Sequence, residues 1–430
     1  MPDLGDVRKI AVVGSGIMGT GICSACLLGG YEVVLCDIDS TALKNSRDSI
    51  ESVLKALETE DGFRAYVSSN PFLGHFSSVD FAELKANRKK VGVMAEGCTA
   101  DEIMGHLVCE VDLQKAVSNV DFVIEAVSEK LDLKQEVFRQ LSEFTLSHTV
   151  CASNTSTLPV SKIGKLSRRP ENVIGMHFHG FTQTFNRLVE IMGGEKTARK
   201  SLETGKAVGQ SLPSVSGERL VVVLDKEAEG FIANRIAAPA SIYSTWFLDQ
   251  AMEQGITFEQ LHAAGRDMRG IDYVGLDTAL NGSISYHENL SSDFSPSKTL
   301  VELVKQGKLG RKTGQGMYEW DESGNAIIKE TKVEEKTLNF LKEYADPELA
   351  LATRLNEACR LLEMGVVKGC GVITEVERIG ESHEGIFVLG SEKYKEWAEK
   401  LEATAEKIGK PYLKPCEMMR SGRFKDYPYY

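Results

Sequence analysis

Three stretches in or at the ends of predicted strands carry the side chains best suited to acid–base chemistry. They are Ser153–Pro159, Gly175–Gly180 around His177, and Arg187–Ile191 around Glu190. An imidazole titrates near about pH 6.5 and can take the proton of a hydroxyl group. A buried carboxylate beside it would fix its tautomer and stabilise its charged form. His177 with Glu190 is therefore the predicted dyad, and Ser156 is a candidate to hydrogen-bond a substrate oxygen.

Each of these residues also has a plainer interpretation. A single histidine on a strand is more often a satisfied core residue, Glu190 alone could form a surface salt bridge, and Ser156 alone could be a turn residue. His177 and His179 are two residues apart and would point to the same face of a sheet, where a metal ion could bind. The sequence shows no evident third ligand, so we expect no metal.

A glycine motif near the start of the chain predicts a dinucleotide site. The apolar run Ile10–Val13 leads into Gly14-Ser15-Gly16-Ile17-Met18-Gly19, a GxGxxG. In such a motif the first glycine permits the tight turn, the second admits a pyrophosphate, and the third lets the helix lie on the strand. The phosphates bind free N–H groups at the helix N-terminus.

The strand after this helix specifies the kind of dinucleotide. Glu32–Cys36 ends at Asp37, at about the spacing where an acid meets the ribose 2′-hydroxyl. A carboxylate there would repel a 2′-phosphate, so the sequence predicts NAD rather than NADP. Strand, glycines, helix and acid occur in register, which makes a glycine-rich turn without a cofactor the weaker interpretation.

The first half of the chain continues to alternate between strand and helix patterns. Further strands are predicted at Val120–Val127, Thr149–Ser153, Val173–Phe178, Leu188–Met192 and Leu220–Leu224, and helices at 40–65 and Lys130–Leu141. This alternation predicts an α/β fold, a doubly wound Rossmann-type domain with a parallel sheet that binds ligands at the carboxyl ends of its strands. Residues 66–110 are less regular, and the charged run Lys85–Lys90 is typical of a solvated face.

Beyond Asp225 the pattern becomes mostly helical. We predict a Rossmann-type domain at 1–226, a helical C-terminal domain at 227–320, a linker at 321–345, and a second helical unit at 346–430. The segment Asn356–Val367 faintly echoes Ile242–Ile256, since both are helices that end at a glycine. The second unit is therefore interpreted as a degenerate internal duplicate.

The composition restricts the class of protein. Of 430 residues, 42% are hydrophobic and 26% charged, as in an ordinary globular protein, and the net charge of −12 argues against nucleic acid or an anionic membrane surface. No apolar run could span a membrane, and no signal peptide is visible at the start. Nine cysteines without metal-ligand clustering favour free thiols in the cytoplasm. Cys23 and Cys26 form a CxxC, but they lie in a predicted helix where packing explains them.

Together these motifs resemble the L-3-hydroxyacyl-CoA dehydrogenase family over roughly residues 8–320. The motifs that carry the resemblance are Gly14–Gly19, Val123–Lys134, Ala152–Leu158, Gly175–Phe178, Gly230–Arg235, Asp272–Asp277 and Gly310–Gly316. The resemblance implies His177 as base, Glu190 as its partner, and Ser156 and Asn234 as hydrogen-bonding substrate residues. It also implies that Asp37, Glu129, Lys134, Ser156 and Lys312 lie near NAD.

The resemblance has consequences for assembly too. Multifunctional fatty-acid oxidation enzymes of the family carry a second copy of the helical domain, and residues 346–430 look like such a copy. A tandem copy can replace the interface of a partner subunit. A homodimer and a monomer with tandem units therefore both remain open.

Several residues depart from the family pattern on the substrate side. Gly180 stands where the family has an asparagine, Val53 and Glu60 replace a serine and a lysine that contact CoA, and a Met-Gly-Pro-Phe turn is missing after Met268. We therefore expect an unusual 3-hydroxyacyl-CoA substrate with a cyclic, branched or dicarboxylic acyl group. Two alternatives are a dehydrogenase of a free hydroxy acid, as in L-gulonate dehydrogenase and lambda-crystallin relatives, and a non-catalytic NAD-binding protein.

Overall fold

The computed structural model describes residues 7–69, 98–180, 184, 186–380 and 385–429. These residues form two compact units. The sheet unit comprises the described residues up to Ala233, those of Gly365–Gly385, and the end of the chain from Pro428. The helical unit comprises Asn234–Met364 and Ile386–Tyr427.

The sheet unit alternates strands and helices as the sequence predicts. Its elements are β1 Lys9–Val13, α1 Ile17–Leu28, β2 Glu32–Cys36, α2 Ser40–Ala56, α3 Glu60–Ser69, α4 Ala100–Met104, β3 Leu107–Glu110, α5 Leu113–Val117, β4 Phe122–Glu125, α6 Leu131–Phe144, β5 Val150–Ser153, α7 Val160–Ile163, β6 Val173–Phe178, β7 Leu188–Gly193, α8 Arg199–Ser211 and β8 Leu220–Val223. Within the described residues these strands form one eight-stranded sheet in the order β3-β2-β1-β4-β5-β6-β7-β8. The predicted Rossmann-type α/β fold is confirmed.

The direction of the last two strands differs from the prediction. Strands β1 to β6 run parallel, whereas β7 pairs antiparallel with β6 and β8 follows the direction of β7. The connection from Phe178 to Leu188 is too short for the crossover that a parallel pair needs, which takes a dozen residues or more. The predicted parallel sheet is therefore found in β1 to β6, and the prediction was wrong only for the direction of β7 and β8.

The region between β2 and β4 also differs from the prediction. The single helix predicted at 40–65 is two helices, because α2 ends at Ala56 with Leu57 as its C-cap, and the Thr59 hydroxyl accepts a hydrogen bond from the Gly62 N–H in the first turn of α3. Strand β3 was not predicted, since a four-residue edge strand with exposed Val108 and Cys109 gives no apolar pattern. The charged run Lys85–Lys90 lies outside the described residues.

The helical unit is built from helices of 5 to 23 residues and one small hairpin. Its elements are α9 Ala233–Ala237, α10 Pro239–Glu253, α11 Phe258–Ala263, α12 Arg269–Val274, α13 Leu276–Asn289, α14 Lys298–Lys305, β9 Glu319–Trp320, β10 Ala326–Ile327, α15 Glu335–Tyr344, α16 Leu349–Met364, α18 Ile386–Ile408 and α19 Glu417–Ser421, while α17 Cys370–Gly380 belongs to the sheet unit. No helix among the described residues is long and apolar enough to cross a membrane.

The predicted four-segment division stays a prediction, and the compact units cut across it. The segment predicted as a linker at 321–345 holds β10 and α15, and Phe340 of α15 is buried. Residues 365–385, which lie inside the predicted duplicate, pack in the sheet unit. Helix α17 contacts β7 and β8, and the Asp225 N–H donates to the Val366 carbonyl at 2.8 Å. This segment therefore packs against β7 and β8 and bonds to the backbone just beyond the end of β8.

Candidate active site

The glycine loop joins β1 to α1 at the carboxyl end of the sheet. Gly14 has φ +106°, and its N–H donates to the Cys36 carbonyl at 2.8 Å. A Cβ on Gly14 would lie 2.6 Å from the Ala126 oxygen, and one on Gly19 would lie 1.8 Å from the Gly14 oxygen. The first and third glycines are thus required by the close approach of neighbouring backbone.

Gly16 differs from its two neighbours, because a Cβ there would meet nothing within 4 Å. It is the N-cap of α1, and no side chain caps the helix. Ile17 is 73% exposed and Met18 packs on the core. The N–H groups of this helix start therefore face open space, an arrangement that suits a phosphate ligand.

Asp37 holds the loop to the end of β2. Its Oδ2 accepts hydrogen bonds from the Ser15 N–H at 2.7 Å and the Ser15 hydroxyl at 2.9 Å, and its Oδ1 accepts one from Asp39 N–H at 3.1 Å. Partial burial raises the pKa of this carboxyl, but the hydrogen bonds led by that of Ser15 N–H outweigh burial and hold the pKa below its usual value. Asp37 stays ionised and positioned beside Gly16.

A buried ion cluster lies under the neighbouring strand ends. The Lys134 ammonium, 1% exposed on α6, donates to Glu125 Oε1 at 2.7 Å and lies 3.3 Å from Glu129 Oε2. Burial lowers the pKa of Lys134, but the two carboxylates outweigh it and raise that pKa above its usual value. Glu125 also accepts hydrogen bonds from Val127 N–H at 2.7 Å and from the Ser153 hydroxyl at 2.6 Å. The cluster thus joins β4, α6 and β5.

The same cluster positions the turn that contains Ser156. Glu129 Oε1 accepts hydrogen bonds from the Thr155 hydroxyl at 2.6 Å, from Ser156 N–H at 2.8 Å and from Thr157 N–H at 3.1 Å. Burial raises the pKa of Glu129, but Lys134 and these donors outweigh it and lower the pKa. Glu129 and Lys134, expected near NAD, are therefore the residues that fix the Ser156 turn.

His177 and Glu190 lie directly opposite each other in the antiparallel pair of β6 and β7. His177 Nδ1 is 2.9 Å from Glu190 Oε2, and the side chains are 4% and 0% exposed. Because cross-strand neighbours share one face of a sheet, the antiparallel pairing itself brings the imidazole and the carboxylate together.

The backbone before α9 holds Glu190 from the other side. Its Oε1 accepts hydrogen bonds from Ile232 N–H at 2.8 Å and Ala233 N–H at 3.0 Å. Phe231, just before these donors, has φ +57° and is the one non-glycine residue in the described chain with a positive φ. Its ring stacks on His177 with centroids 5.1 Å apart. A strained residue thus aims two donors at the carboxylate and covers the imidazole.

Three residues that support this geometry were missed in the sequence. They are Glu125, Phe231 and Asn154, whose Oδ1 accepts the Phe178 N–H at 3.0 Å. Glu125 left a signal, because an acid inside the apolar run Phe122–Ala126 is unusual for a strand buried on both faces. A positive φ at a phenylalanine leaves no signal in the sequence.

Asn234 and Lys312 lie in the helical unit. Asn234 is in α9, and the Lys312 ammonium forms an ion pair with Asp277 Oδ1 at 2.5 Å. Their expected roles beside substrate and NAD remain predictions.

The histidine pair gains a third neighbour that the sequence did not reveal. Potential ligand atoms of His177, His179 and Glu190 lie within 4.8 Å of one another. The expectation of no third ligand was wrong, because the antiparallel pairing brings Glu190 to the same face. Both Glu190 oxygens already accept hydrogen bonds, so a metal ion would have to compete with His177, Ile232 and Ala233.

Gly180, the residue after His179, lies close to the side chain of Asn186. Gly180 has φ +79°, and a Cβ there would lie 2.2 Å from Asn186 Nδ2. The Asn186 amide therefore occupies the space that a side chain at 180 would fill.

Comparison with known families matches two models along the chain. Residues 9–70 and 77–225 match the NAD binding domain of 3-hydroxyacyl-CoA dehydrogenase, and residues 230–320 match its C-terminal domain. A mouse mitochondrial hydroxyacyl-coenzyme A dehydrogenase is 30% identical over 321 residues, or 73% of this chain and 91% of that protein. A 3-hydroxyadipyl-CoA dehydrogenase of Escherichia coli K12 is 29% identical over 75% of this chain and 61% of its own length.

A solved structure shares the fold of nearly the whole chain. The 3-hydroxybutyryl-CoA dehydrogenase of Escherichia coli K12 superposes with a TM-score of 0.67 at 22% identity, and covers 98% of this chain and 99% of that one. At this identity the likeness concerns the fold alone.

The buried ion cluster generates a stability prediction. Lys134→Met removes the cation that faces both Glu125 and Glu129 and leaves a buried carboxylate without its counter-ion. We expect urea unfolding at pH 7 to show a loss of about 3–5 kcal/mol in the free energy of unfolding. Lys130→Met, at an exposed neighbouring lysine, is the matched control, with an expected loss within about 0.5 kcal/mol.

A double variant separates charge from packing. In Lys134→Met/Glu125→Gln the amide can still accept the Val127 N–H and donate to the Ser153 hydroxyl, so part of the lost stability should return. Equal unfolding midpoints for Lys134→Met and Lys130→Met would show that the cluster contributes no stability.

Proposed function

Because the chain belongs to the 3-hydroxyacyl-CoA dehydrogenase family and is an NAD-dependent oxidoreductase, we propose that it interconverts a 3-hydroxyacyl-CoA and its 3-oxo form with His177 as the general base. The observation that carries this proposal is the 2.9 Å contact between His177 Nδ1 and Glu190 Oε2, both buried. A fixed, buried imidazole–carboxylate pair is the arrangement that general-base chemistry on a hydroxyl group requires.

The residues of the glycine loop fit an NAD cofactor. The open space at Gly16, the uncapped start of α1 and the ionised Asp37 offer positions for a pyrophosphate and for a ribose hydroxyl. Bound there, NAD would supply the acceptor for the hydride of the carbinol carbon in the oxidation, and its reduced form would supply the hydride in the reverse reaction.

The dyad performs the proton transfer in this scheme. Glu190 holds Nδ1 of His177, so Nε2 takes the hydroxyl proton as the carbonyl forms. The carboxylate stabilises the imidazolium that results, and its two backbone donors keep it oriented. We assign Ser156 and Asn234 to hydrogen bonds with the substrate oxygen, with Ser156 positioned through Glu129.

The acyl group is proposed to be cyclic, branched or dicarboxylic. The surfaces that contact CoA in the family are altered here, because Val53 packs against the core and Glu60 pairs with Arg64 at 3.0 Å. The Asn186 amide fills the space beside Gly180, at the position where the family has an asparagine. A dicarboxylic group is supported further by the relative named as a 3-hydroxyadipyl-CoA dehydrogenase.

The altered CoA contacts also favour a second candidate function, the oxidation of a free hydroxy acid. The third, a non-catalytic NAD-binding protein, is disfavoured because His177 and Glu190 meet with the geometry of a working pair. We further propose that residues 346–430 arose by duplication, since Gly255 and Gly365 end the two echoing helices with φ of +68° and +67°. Both a homodimer and a monomer with tandem units are compatible with this origin.

A location in the cytoplasm is proposed from the cysteines. All nine are free thiols, and Cys23 and Cys26 of the CxxC are buried. Burial raises the pKa of Cys26 to about 12, which suits packing rather than redox chemistry.

NADH consumption with acetoacetyl-CoA beside free acetoacetate tests the substrate class. We expect turnover of the thioester and none of the free acid. A panel of straight-chain, branched, cyclic and dicarboxylic 3-oxoacyl-CoA thioesters should then show at least tenfold higher kcat/KM for one of the last three groups. Equal kcat/KM across the panel would contradict the unusual acyl group, and turnover of the free acid alone would favour the second candidate.

His177→Gln tests the general base. The amide keeps the size of the side chain but cannot take the proton, so kcat should fall by about 10² to 10⁴-fold while the Kd for NADH stays within twofold. Ser142→Ala on the exterior of α6 serves as a control and should retain full activity. A His177→Gln enzyme with near-native kcat would reject this assignment.

Asp37→Ala tests the cofactor preference. Loss of the carboxylate removes both the ribose contact and the repulsion of a 2′-phosphate, so the NAD/NADP ratio of kcat/KM should fall at least tenfold. Asp39→Ala, two residues further on at the N-cap of α2, controls for the loss of charge and should leave the ratio unchanged. An unaltered ratio in Asp37→Ala would mean that this carboxylate does not meet the ribose.

A further inference from the structure

A cavity of about 540 Å³ lies within the helical unit. None of its lining residues belongs to the candidate active site. Its walls are mainly apolar, formed by Phe247, Leu248, Ile271, Leu300, Met317 and Leu349. The volume and lining are typical of a site for a small apolar ligand.

The cavity opens between the two helices that carry the sequence echo. Helices α10 and α16 contact each other, and both contribute to the lining. Their lining residues include small ones, Ala240 and Ser241 on α10 and Ala350 on α16. Because small side chains on facing helices cannot fill the space between them, the cavity is built into the packing of this pair.

Among the described residues, two of the charged side chains that line the cavity form ion pairs, and the third does not. Of the three charged lining residues, Asp267 forms an ion pair with Arg269 at 2.6 Å and Asp346 lies 3.6 Å from Lys400. Arg266 lies with its guanidinium 5.7 Å from the centre of the Phe247 ring. Within the described part of the chain, no carboxylate forms an ion pair with Arg266. The cavity therefore offers one cation beside an apolar wall.

We propose that this cavity binds an amphipathic carboxylate of medium chain length, with its hydrocarbon chain against the apolar walls and its carboxylate at Arg266. The apolar lining favours binding of a hydrocarbon chain. Because both aspartates already form ion pairs, Arg266 is the charged lining residue that can bind an anionic head group. A guanidinium is suited to a carboxylate because its N–H groups can bind both oxygens. None of the residues assigned to the proposed dehydrogenase chemistry lines this cavity.

Isothermal titration of the full-length protein with three ligands of the same chain length tests the proposal. The ligands are decanoate, decan-1-ol and decyltrimethylammonium, each used below its micelle concentration. We expect saturable binding of decanoate, at least tenfold tighter than that of the ammonium compound. Octanoate should bind about tenfold more weakly than decanoate, because two fewer CH₂ groups are buried. Equal affinity for the three head groups, or no saturable binding of decanoate, would overturn the proposal.

Two variants locate the binding. Arg266→Gln should weaken decanoate at least tenfold and leave decan-1-ol within twofold of the native protein. Ala350→Trp, at an exposed lining position, should block both ligands without a loss of helical circular dichroism. Arg199→Gln, at a residue of the sheet unit that is exposed, removes the same charge as a control and should bind decanoate as the native protein does.

The remaining comparison distinguishes this cavity from the active site. His177→Gln should bind decanoate with unchanged affinity. Binding that is lost in His177→Gln and kept in both Arg266→Gln and Ala350→Trp would overturn the proposal. Since no turnover is measured, the result is independent of whether the proposed dehydrogenase activity is found.

Discussion

Glu190 carries a carboxylate with no exposure to solvent, and most of the site geometry serves to compensate that buried charge. Three donors do so: His177 Nδ1, Ile232 N–H and Ala233 N–H. The first requires β7 to run against β6, and the other two require the turn at Phe231 with its positive φ. The reversed direction of β7 and the strained Phe231 look unrelated along the chain, but both supply donors to the Glu190 carboxylate. The same donors that make its burial tolerable orient the imidazole.

The cofactor side of the site depends on a second group of buried charges, which are balanced in a different way. Around Glu190 the charge is met mainly by dipoles of the backbone, whereas Glu125 and Glu129 share the ammonium of Lys134. This cluster spans β4, α6 and the Ser156 turn, so the strand ends that face the glycine loop are cross-linked by charge. Two rigid frames, one at Glu190 and one at Lys134, therefore position the groups that would meet substrate and cofactor.

Much of this could be predicted from the sequence, because it depends on local patterns. The glycine loop, Asp37, and the alternation of strands and helices follow from short-range spacing, and the pairing of His177 with Glu190 follows from their chemistry. The direction of β7 could have been inferred from the short connection after Phe178. The edge strand β3 could not, since a four-residue strand with one buried and two consecutive exposed residues gives no periodicity. The role of Phe231 and the cavity between α10 and α16 depend on contacts between distant segments, which no local pattern records.

The position of residues 365–385 has a consequence for how the protein is made. The sheet ends at β8, whose free edge would offer unpaired backbone groups to other chains. The segment that packs beside β8 and accepts the Asp225 N–H is synthesised more than 130 residues after β8, and the Cys370 N–H bonds in turn to the Pro428 carbonyl at 2.9 Å. During synthesis on the ribosome, β8 is therefore complete before the segment that packs beside it has been made. Until that segment has been made, the backbone groups of β8 that face away from β7 can pair with a strand of another chain.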